Sequence, residues 1–396
     1  MKPAILVINS GSTSLKFALY EVSAENLKLR CKGSYTGMPK NAELKLKDPT
    51  GKISLSKQFT DQAVNHELAL SQLIPILEKE YDDIEVKYAG HRIVSGGERF
   101  VHSVLLDDEV LDYLEGLSAI EPTHQHFEVM GARALAKVFP HVIQSASFDT
   151  SFHRTMPRVA EFYAVPEEIH QHGVRHWGFH GISYAYISSL LPDLVPDARK
   201  VITAHLGGGA SICAMLDGRS IDTSMQFGAI TGLPMATRSG DFPADALFYL
   251  LKQGKYSITE LENILSKKSG LLALTGNFSE DMQQIEESDS EACQFARDTF
   301  DYMLLKYIGA YTAALNGLDV LIFTAGIGEN DPALRKRICS RLDWMGVKID
   351  DTKNNQAMGS IHPQKISTLD SAVTVYVIPT NEELMIAQSA IQLSYN

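Results

Sequence analysis

The chain has 396 residues, of which 44% are hydrophobic and 21% are charged, a composition typical of a soluble enzyme with enough apolar material for two domains. The formal net charge of −12 argues against nucleic acid as a partner, because binding a polyanion needs a basic face. We see no bilayer-length apolar run and no secretory leader, and the four cysteines stand far apart. We therefore expect a cytoplasmic protein that is not inserted in a membrane and that has neither a disulfide framework nor a zinc site.

The first half of the chain predicts a sheet flanked by helices. Two strands are joined by a turn rich in Ser, Thr and Gly, and the charged, alternating sequence up to about residue 60 favours an antiparallel extension of the same sheet. Further along, apolar residues recur at helical spacing or in short strand-like runs. The predicted strands are 4–9, 16–22, 86–94 and 142–148, and the predicted helices are 66–81 and 127–138.

The second half repeats this alternation of strands and helices. Its predicted strands are 201–204, 213–216, 320–324 and 373–378, and its predicted helices are 180–191, 244–253, 258–266, 288–316 and 332–342. A last helix follows Thr380 or Asn381 as N-cap, with two glutamates in its first turn. Alternating strands and helices of this kind predict an α/β fold.

Three predicted strands run into glycine-containing polar loops, at 9–16, 205–211 and 326–330. Glycine lets the backbone approach a ligand closely and adopt positive φ, and successive N–H groups in such a turn bind anions. A single loop of this kind could be only a tight turn. Three of them, far apart in sequence, predict one polyphosphate held between two similar halves.

Five isolated polar residues are candidates for chemistry. Arg92 lies in a predicted strand among apolar neighbours, where it meets either a structural carboxylate, the favoured interpretation, or an anionic ligand. Asp149 follows a strand, where α/β sites collect, but is equally explained as a cap. His180 lies between glycines, and Arg238 lies in a Gly-rich, otherwise uncharged stretch. Glu382 either complements a helix dipole or binds Mg²⁺.

The chain resembles the acetate/propionate kinase family along nearly its whole length. The motifs that carry the resemblance are Asn9-Ser10-Gly11-Ser12-Thr13-Ser14-Leu15-Lys16, His91-Arg92-Ile93-Val94, Phe148-Asp149-Thr150-Ser151-Phe152-His153, Gly178-Phe179-His180-Gly181, Asp222-Thr223-Ser224-Met225, Thr237-Arg238-Ser239-Gly240-Asp241, Lys268-Ser269-Gly270-Leu271, Phe323-Thr324-Ala325-Gly326-Ile327-Gly328-Glu329-Asn330 and Pro379-Thr380-Asn381-Glu382-Glu383. They occur in the family's order, and jointly they are highly specific.

This resemblance implies two actin-like (ribonuclease H-like) α/β domains with a central nucleotide cleft, usually in a homodimer. Residues 1–149 would form the acyl-substrate and phosphate domain, with a C-terminal helix at about 383–396 packing back on it, and residues 150–382 the nucleotide-binding domain. The implied reaction is reversible phosphoryl transfer from ATP to acetate, giving ADP and acetyl phosphate. Neither a nucleic acid nor a membrane is implied as a partner.

The resemblance also assigns roles by matched position. Asn9 and Glu382 would hold Mg²⁺ or Mn²⁺, Arg92 would bind the acyl substrate, and His180 and Arg238 would stabilise the transition state. Asp149 would be an acid/base or an orienting carboxylate; we expect orientation, because a substrate acid with a pKa of roughly 4 is already ionised at pH 7. The residues expected to bind the nucleotide and its phosphates are Ser12, Lys16, His205, Leu206, Gly207, Gly208, Gly209, Asp281, Met282, Gln283, Gly326, Ile327, Gly328, Glu329 and Asn330.

The sequence departs from the family pattern near both substrates. Gly208 replaces an asparagine, and Gln283 stands where an arginine is usual, so a cation near the nucleotide is lost. The expected methyl pocket comprises Val94, Thr123, His124, Phe179 and Ala229, of which Thr123 and Ala229 depart from the usual residues. Because one methylene changes discrimination by only about 1–3 kcal/mol, we expect activity on acetate with propionate competing.

Two other interpretations stay open at this point. Gly208 and Gln283 favour a pyrophosphate- or phosphate-using relative, whereas the intact 326–330 segment favours a nucleoside. A nucleotide-driven switch protein of the actin or chaperone type would use the same clamp, but would need neither an acyl pocket nor the set of Arg92, Arg238 and His180.

Overall fold

The computed structural model describes residues 1–23, 26–60, 63–119 and 124–395. Its strands are β1 (Lys2–Ser10), β2 (Leu15–Val22), β3 (Leu27–Thr36), β4 (Ala42–Lys47), β5 (Ile53–Phe59), β6 (Ile84–Ile93), β7 (Val104–Leu105), β8 (Ile143–Phe148), β9 (Lys200–Leu206), β10 (Ala210–Leu216), β11 (Arg219–Thr223), β12 (Val320–Thr324), β13 (Gln364–Lys365) and β14 (Thr374–Val377). Its helices are α1 (His66–Glu80), α2 (Asp108–Gly116), α3 (Gln125–Val138), α4 (Arg158–Glu161), α5 (Glu167–Gln171), α6 (Gly181–Leu194), α7 (Ala244–Lys252), α8 (Ile258–Lys267), α9 (Gly270–Leu274), α10 (Met282–Glu286), α11 (Glu291–Leu315), α12 (Ala325–Asn330), α13 (Pro332–Ser340), α14 (Asp351–Gln356) and α15 (Glu382–Tyr395).

Contacts divide the chain into two compact units. Unit 1 comprises Met1–Phe152 and Asn381–Asn396, and unit 2 comprises His153–Thr380. Each unit has one mixed sheet with helices packed against it, so the predicted α/β fold is confirmed. In the part of the chain that the structure describes, no helix combines the length and hydrophobicity needed to cross a membrane.

The sheet of unit 1 has the strand order β5-β4-β3-β2-β1-β6-β8-β7. The strands from β1 to β5 pair antiparallel in chain order, as the alternating sequence predicted, whereas β1–β6 and β6–β8 pair parallel. Residues 4–8 of β1 are at most 2% exposed, because β1 lies in the middle of the sheet. This burial explains the continuous apolar run from which the strand was predicted.

The sheet of unit 2 has the order β11-β10-β9-β12-β14-β13. Strands β9, β10 and β11 pair antiparallel, and β9–β12 and β12–β14 pair parallel. The series β3-β2-β1-β6-β8 in unit 1 has the same order and directions as β11-β10-β9-β12-β14 in unit 2. The chain therefore contains the same topology twice, which agrees with the similar halves inferred from the glycine loops.

Helix α15 packs against β6 in unit 1, although it lies at the far end of the chain. The contact is close at Gly90, where a Cβ atom would lie 2.6 Å from Cγ2 of Ile386. The helix begins as predicted, with Asn381 as N-cap: its Oδ1 accepts a hydrogen bond from the amide of Leu384. This packing brings Glu382 to the sheet end that carries Arg92.

Candidate active site

Arg92 lies near the carboxyl end of β6, and its guanidinium contacts Asp149, the residue that follows the neighbouring strand β8. Nη2 lies 2.6 Å from Oδ2 of Asp149, and Nε lies 3.2 Å from Oδ2 and 3.3 Å from Oδ1. The side chain of Asp149 is only 3% exposed. Of the two interpretations left open for Arg92, the structure therefore shows a carboxylate partner.

The guanidinium of Arg92 has a second acidic neighbour. Its Nη1 lies 3.7 Å from Oε2 of Glu382, the first residue of α15. Burial by itself would lower the pKa of Arg92, but the charges of Asp149 and Glu382 more than offset this effect and raise it. Arg92 is therefore a permanent positive charge, and its geometry suits a planar carboxylate or a phosphoryl oxygen.

The loop that follows β6 is fixed by two polar side chains of α3. The amide of Val94 donates to Oε2 of Glu128, and the amide of Ser95 donates to Oε1 of Gln125. Both acceptors are at most 3% exposed. Neither residue was predicted from the sequence. Both lie in a helix with an apolar face, and this position was a usable signal, because buried polar groups are normally hydrogen-bonded.

The turn between β1 and β2 carries Ser12 and places Asn9 opposite Lys16 in the antiparallel register. The amide of Gly11 donates to the carbonyl of Ser14, and Nε2 of His66, the first residue of α1, lies 2.9 Å from the carbonyl oxygen of Gly11. Because that oxygen can only accept, His66 donates from Nε2. Ser12 and Lys16 are exposed at this turn.

A cavity of about 40 Å³ in unit 1 is lined by Asn9, Lys16, Arg92 and Glu382, together with Glu383 and apolar side chains. An amide and a carboxylate supply the oxygen ligands that Mg²⁺ prefers. Among the described residues, no group of three or more His, Cys, Asp or Glu side chains is arranged to hold a metal. Asn9 and Glu382 thus supply two oxygen-bearing side chains of the kind that fit Mg²⁺.

In unit 2, the loop after β9 is a tight glycine turn, in which the amide of Gly207 donates to the carbonyl of Gly209. The segment after β12, predicted as a loop, instead forms the short helix α12. Its first residue, Ala325, has a left-handed φ of +65°. This conformation turns the chain directly from strand to helix. The sequence did not predict it, because the two glycines at 326 and 328 favoured a loop.

A cavity of about 650 Å³ in unit 2 lies between these two segments and α10. Of the residues predicted to bind the nucleotide, it brings together Gly207, Gly208, Asp281, Met282, Gln283, Gly326, Ile327 and Asn330. Four other residues that line it carry carboxylates or a thioether: Glu286, Glu287, Asp331 and Met358. None of the described lining residues is a lysine or arginine, and the Gln283 amide donates to Glu287.

Glu329 is a residue of α12, and its carboxylate joins the first residue of that helix to the segment that follows β14. Oε1 accepts hydrogen bonds from the amides of Ala325, at 2.7 Å, and Thr380, at 3.0 Å. Burial raises the pKa of Glu329, and the two amide donors oppose that rise. Its observed contacts are thus structural ones that hold α12 in place.

His180 is the N-cap of α6 and has a left-handed φ of +58°. Its ring stacks on the ring of His205, with centroids 4.2 Å apart and planes 18° apart. Nδ1 of His180 lies 2.9 Å from Oγ of Ser211, and Nδ1 of His205 lies 2.9 Å from Oγ of Ser183. The two rings are therefore held in parallel, each by a serine hydroxyl at Nδ1.

Arg238 lies in a loop that folds onto the start of α9. Its Nη1 donates to the carbonyl of Ala229 at 2.9 Å, and its own carbonyl accepts from the amide of Met235. Gly270 fits under this loop because it has no side chain: a Cβ there would lie 2.0 Å from the carbonyl oxygen of Met235 and 2.6 Å from that of Arg238. The packing fixes the backbone from which Arg238 projects.

The residues predicted for the methyl pocket fall in both units. Val94 is 6% exposed in unit 1, where His124 is the N-cap of α3. Phe179 is 2% exposed and Ala229 is half-buried, both in unit 2. Thr123 lies outside the described residues. The pocket itself therefore stays a prediction.

Known proteins match this chain over nearly its whole length. A model of the acetokinase family matches residues 4–388. Acetate kinase from Thermosipho africanus is 42% identical over 401 residues, which cover 97% of this chain and 96% of the relative. The crystal structure of Porphyromonas gingivalis acetate kinase matches with a TM-score of 0.89 at 34% identity, covering 99% of this chain and 100% of that one. A propionate kinase from Francisella tularensis matches with a TM-score of 0.90 at 34% identity and the same coverage.

Fold, site and these matches define a phosphotransferase that has a carboxyl group as acceptor. The chain belongs to the acetokinase family. The resemblance that the sequence motifs indicated is thereby confirmed.

Proposed function

We propose that this protein catalyses the reversible, Mg²⁺-dependent transfer of a phosphoryl group from ATP to acetate, giving ADP and acetyl phosphate. The observation that carries the proposal is the ion pair of Arg92 and Asp149, at a cavity that Asn9, Lys16 and Glu382 also line, in a member of the acetokinase family. A permanent cation beside oxygen ligands is suited to a carboxylate that must meet a phosphoryl group.

In this proposal Arg92 binds the carboxylate of the acid and Asp149 orients Arg92. A carboxylic acid is ionised at pH 7, so the attacking oxygen needs no general base. The two-point contact between Asp149 and Nε and Nη2 of Arg92 supports orientation, because it fixes the plane of the guanidinium. The substrate carboxylate then binds a guanidinium whose orientation is already fixed. Fewer side-chain motions must therefore be ordered in the transition state.

Asn9 and Glu382 would hold Mg²⁺, or Mn²⁺, from the wall of the unit 1 cavity. When bound, the ion would neutralise charge on the phosphate oxygens. The charge of Lys16 and the hydroxyl and amide of Ser12 would bind the same phosphates at the exposed turn. Removing Lys16 would therefore weaken phosphate binding without touching Arg92.

We assign the nucleotide to the cavity of unit 2. Its volume of about 650 Å³ suits a nucleoside, and pyrophosphate would leave much of it empty. The apolar side chains of Met282 and Ile327 offer contacts to a base. The carboxylates accept hydrogen bonds from ribose hydroxyls and base amino groups but repel bare phosphate. This charge pattern supports ATP over a pyrophosphate donor.

His180 and Arg238 would stabilise the charge that develops on the transferred phosphoryl group. Phosphoryl transfer needs mainly positioning and stabilisation of negative charge, to which an imidazole N–H contributes a hydrogen bond and a guanidinium a positive charge. The backbone of each residue is fixed, His180 by its left-handed cap at α6 and Arg238 by the contact with Gly270. Such fixed donors need little reorganisation during the reaction.

A hydroxamate assay with a panel of acids and donors tests the proposal. Hydroxylamine traps any acyl phosphate, so acetate, propionate and butyrate can each be paired with ATP, GTP or pyrophosphate. We expect product from ATP with acetate, with propionate as a competing substrate. The family match to a propionate kinase supports the second acid. No hydroxamate from any acid, or product from pyrophosphate alone, would contradict the proposal.

We also propose that the protein is a cytoplasmic homodimer, as the family resemblance implies. The four cysteines are buried and free, which suits a reducing compartment. Light scattering coupled to gel filtration measures the mass directly. A mass near 44 kDa, that of the single chain, would contradict the dimer.

A further inference from the structure

The stacked histidine pair in unit 2 is connected to a hydrogen-bond relay that the proposed function does not use. Oγ of Ser211 lies 2.9 Å from Nδ1 of His180 and 2.5 Å from the phenol oxygen of Tyr184. Ser211 and Tyr184 are fully buried. Three groups that can exchange hydrogen bonds thus lie in a row, with His180 at the end of the row.

The direction of hydrogen bonding in this relay follows from its buried end. Burial raises the pKa of Tyr184 well above its usual value, so the phenol keeps its hydrogen and donates it to Ser211. The serine hydrogen is then directed to Nδ1 of His180. An imidazole that accepts at Nδ1 carries its hydrogen on Nε2.

The position of Nε2 agrees with a role towards the ligand. A Cβ atom added to Gly209, in the glycine turn after β9, would lie 3.2 Å from Nε2 of His180. A side chain at residue 209 would therefore occupy space next to Nε2. A neutral imidazole with its hydrogen on Nε2 can donate to an anionic oxygen in that space.

The second ring bears on the charge state of the pair. His205 is held at Nδ1 by Ser183, whose hydroxyl lies 2.8 Å from Oγ1 of Thr380. Two imidazolium rings 4.2 Å apart would repel each other strongly in a site of reduced dielectric constant. The stack thus disfavours the state in which both rings are charged.

We propose that Tyr184 and Ser211 are positioning residues that hold His180 as the neutral tautomer with its hydrogen on Nε2, directed at the phosphoryl group being transferred. The proposal rests on the proposed function, because it gives His180 the transition state as its target. It adds two residues that touch no substrate and act only through the histidine ring. A fixed donor of this kind stabilises charge where it develops.

The test compares Ser211→Ala and Tyr184→Phe with the wild-type enzyme. We expect kcat to fall roughly tenfold to a hundredfold in each, as is typical when a group that orients an active-site histidine is lost, with the KM values for acetate and ATP unchanged. The double variant should be no slower than Ser211→Ala, because Tyr184 acts through Ser211. Ser189→Ala is the matched control: this serine lies on α6 but donates only to the carbonyl of Tyr186 in the same helix.

Nitrogen-15 NMR of labelled histidine provides a readout that does not depend on activity. We expect the His180 signals to show hydrogen on Nε2 in the wild-type protein and a mixture of tautomers in Ser211→Ala, with His180→Gln used for assignment. Hydrogen on Nδ1 in the wild type, or multiplicative losses in the double variant, would overturn the relay. An inactive wild-type enzyme would instead refute the proposed function, and the tautomer would still be measured.

Discussion

Arg92 and Asp149 form a two-point ion pair between neighbouring parallel strands, with Nη2 and Nε of the arginine 2.6 and 3.2 Å from the same carboxylate oxygen. The side chain of Asp149 is almost fully buried, whereas the side chain of Arg92 is 22% exposed. The pair is thus asymmetric: Asp149 faces the protein, and Arg92 can also meet a ligand. Two predictions follow from this arrangement.

Replacing Asp149 with Asn removes the charge but keeps the shape. We expect kcat to fall on the order of a hundredfold, because Arg92 loses its oriented countercharge. The pH–rate profile should keep its basic limb, since no proton is transferred by Asp149. Asp112→Asn is the control, because Asp112 pairs with Arg133 in an exposed ion pair. Loss of the basic limb with Mg²⁺ dependence intact would instead indicate acid–base catalysis.

Replacing Arg92 with Lys keeps the charge and removes the two-point contact. A lysine ammonium cannot present a planar fork to Asp149 and to a substrate carboxylate together. We expect the transition state for acetate to lose about 3–4 kcal/mol of stabilisation, the scale for one preorganised donor, and kcat/KM to fall by the corresponding factor. Steady-state kinetics measures this, with Arg133→Lys as the exposed control. Unchanged kcat/KM would mean that charge alone is sufficient.

Substitution of two glycines near α9 distinguishes the effect of backbone strain from that of steric contact. Gly270 and Gly276 both have positive φ, +63° and +67°, but only Gly270 has backbone atoms where a Cβ would be placed. Gly276→Ala should lower the free energy of unfolding by about 1–2 kcal/mol, the penalty for a left-handed residue. Ala at 270 should cost more and should also lower kcat, because the carbonyl of Arg238 must move. Urea unfolding and kinetics of both variants provide the comparison.

Acid should destabilise the protein through His91, which is fully buried beside Gln144. Burial lowers the pKa of His91 to about 4 from an ordinary value near 6.5. The unfolded chain therefore takes up a proton between these values and the folded one does not, so stability falls as pH decreases from 6.5 towards 4. We expect the wild type to lose up to about 2 kcal/mol more than His91→Gln between pH 7 and 5. Parallel unfolding curves for the two proteins would contradict this.

Shortening Val94 tests the predicted methyl pocket. Val94→Ala should shift the ratio of kcat/KM values towards propionate by about 1–3 kcal/mol, the usual effect of one methylene. Val110→Ala is the matched control, because Val110 is 7% exposed against 6% for Val94 but lies on α2, in a separate apolar cluster of unit 1. A ratio that changes equally in both variants would show a general loss of stability rather than a pocket.

The sequence anticipated the elements whose environment is uniform along their length. Residues 4–8 of β1 are buried, so the apolar run was unambiguous, and α11 keeps its helical period over 25 residues. Helix α2 was not predicted, and α12 was predicted as a loop. Six residues with two glycines carry little helical signal, and α12 depends on the carboxylate of Glu329 to satisfy amides at residues 325 and 380.

For the site, the sequence by itself determined the family, the three strands that run into glycine-containing loops, and the residue types able to bind a phosphoryl group. These properties reside in short motifs, and local composition is sufficient to show them. Only the tertiary structure decided that the partner of Arg92 is Asp149, 57 residues away, and that Ser211 lies within hydrogen-bond distance of both His180 and Tyr184. The physical reason is that a hydrogen bond depends on distance and direction in space, which strand pairing sets and which sequence separation does not.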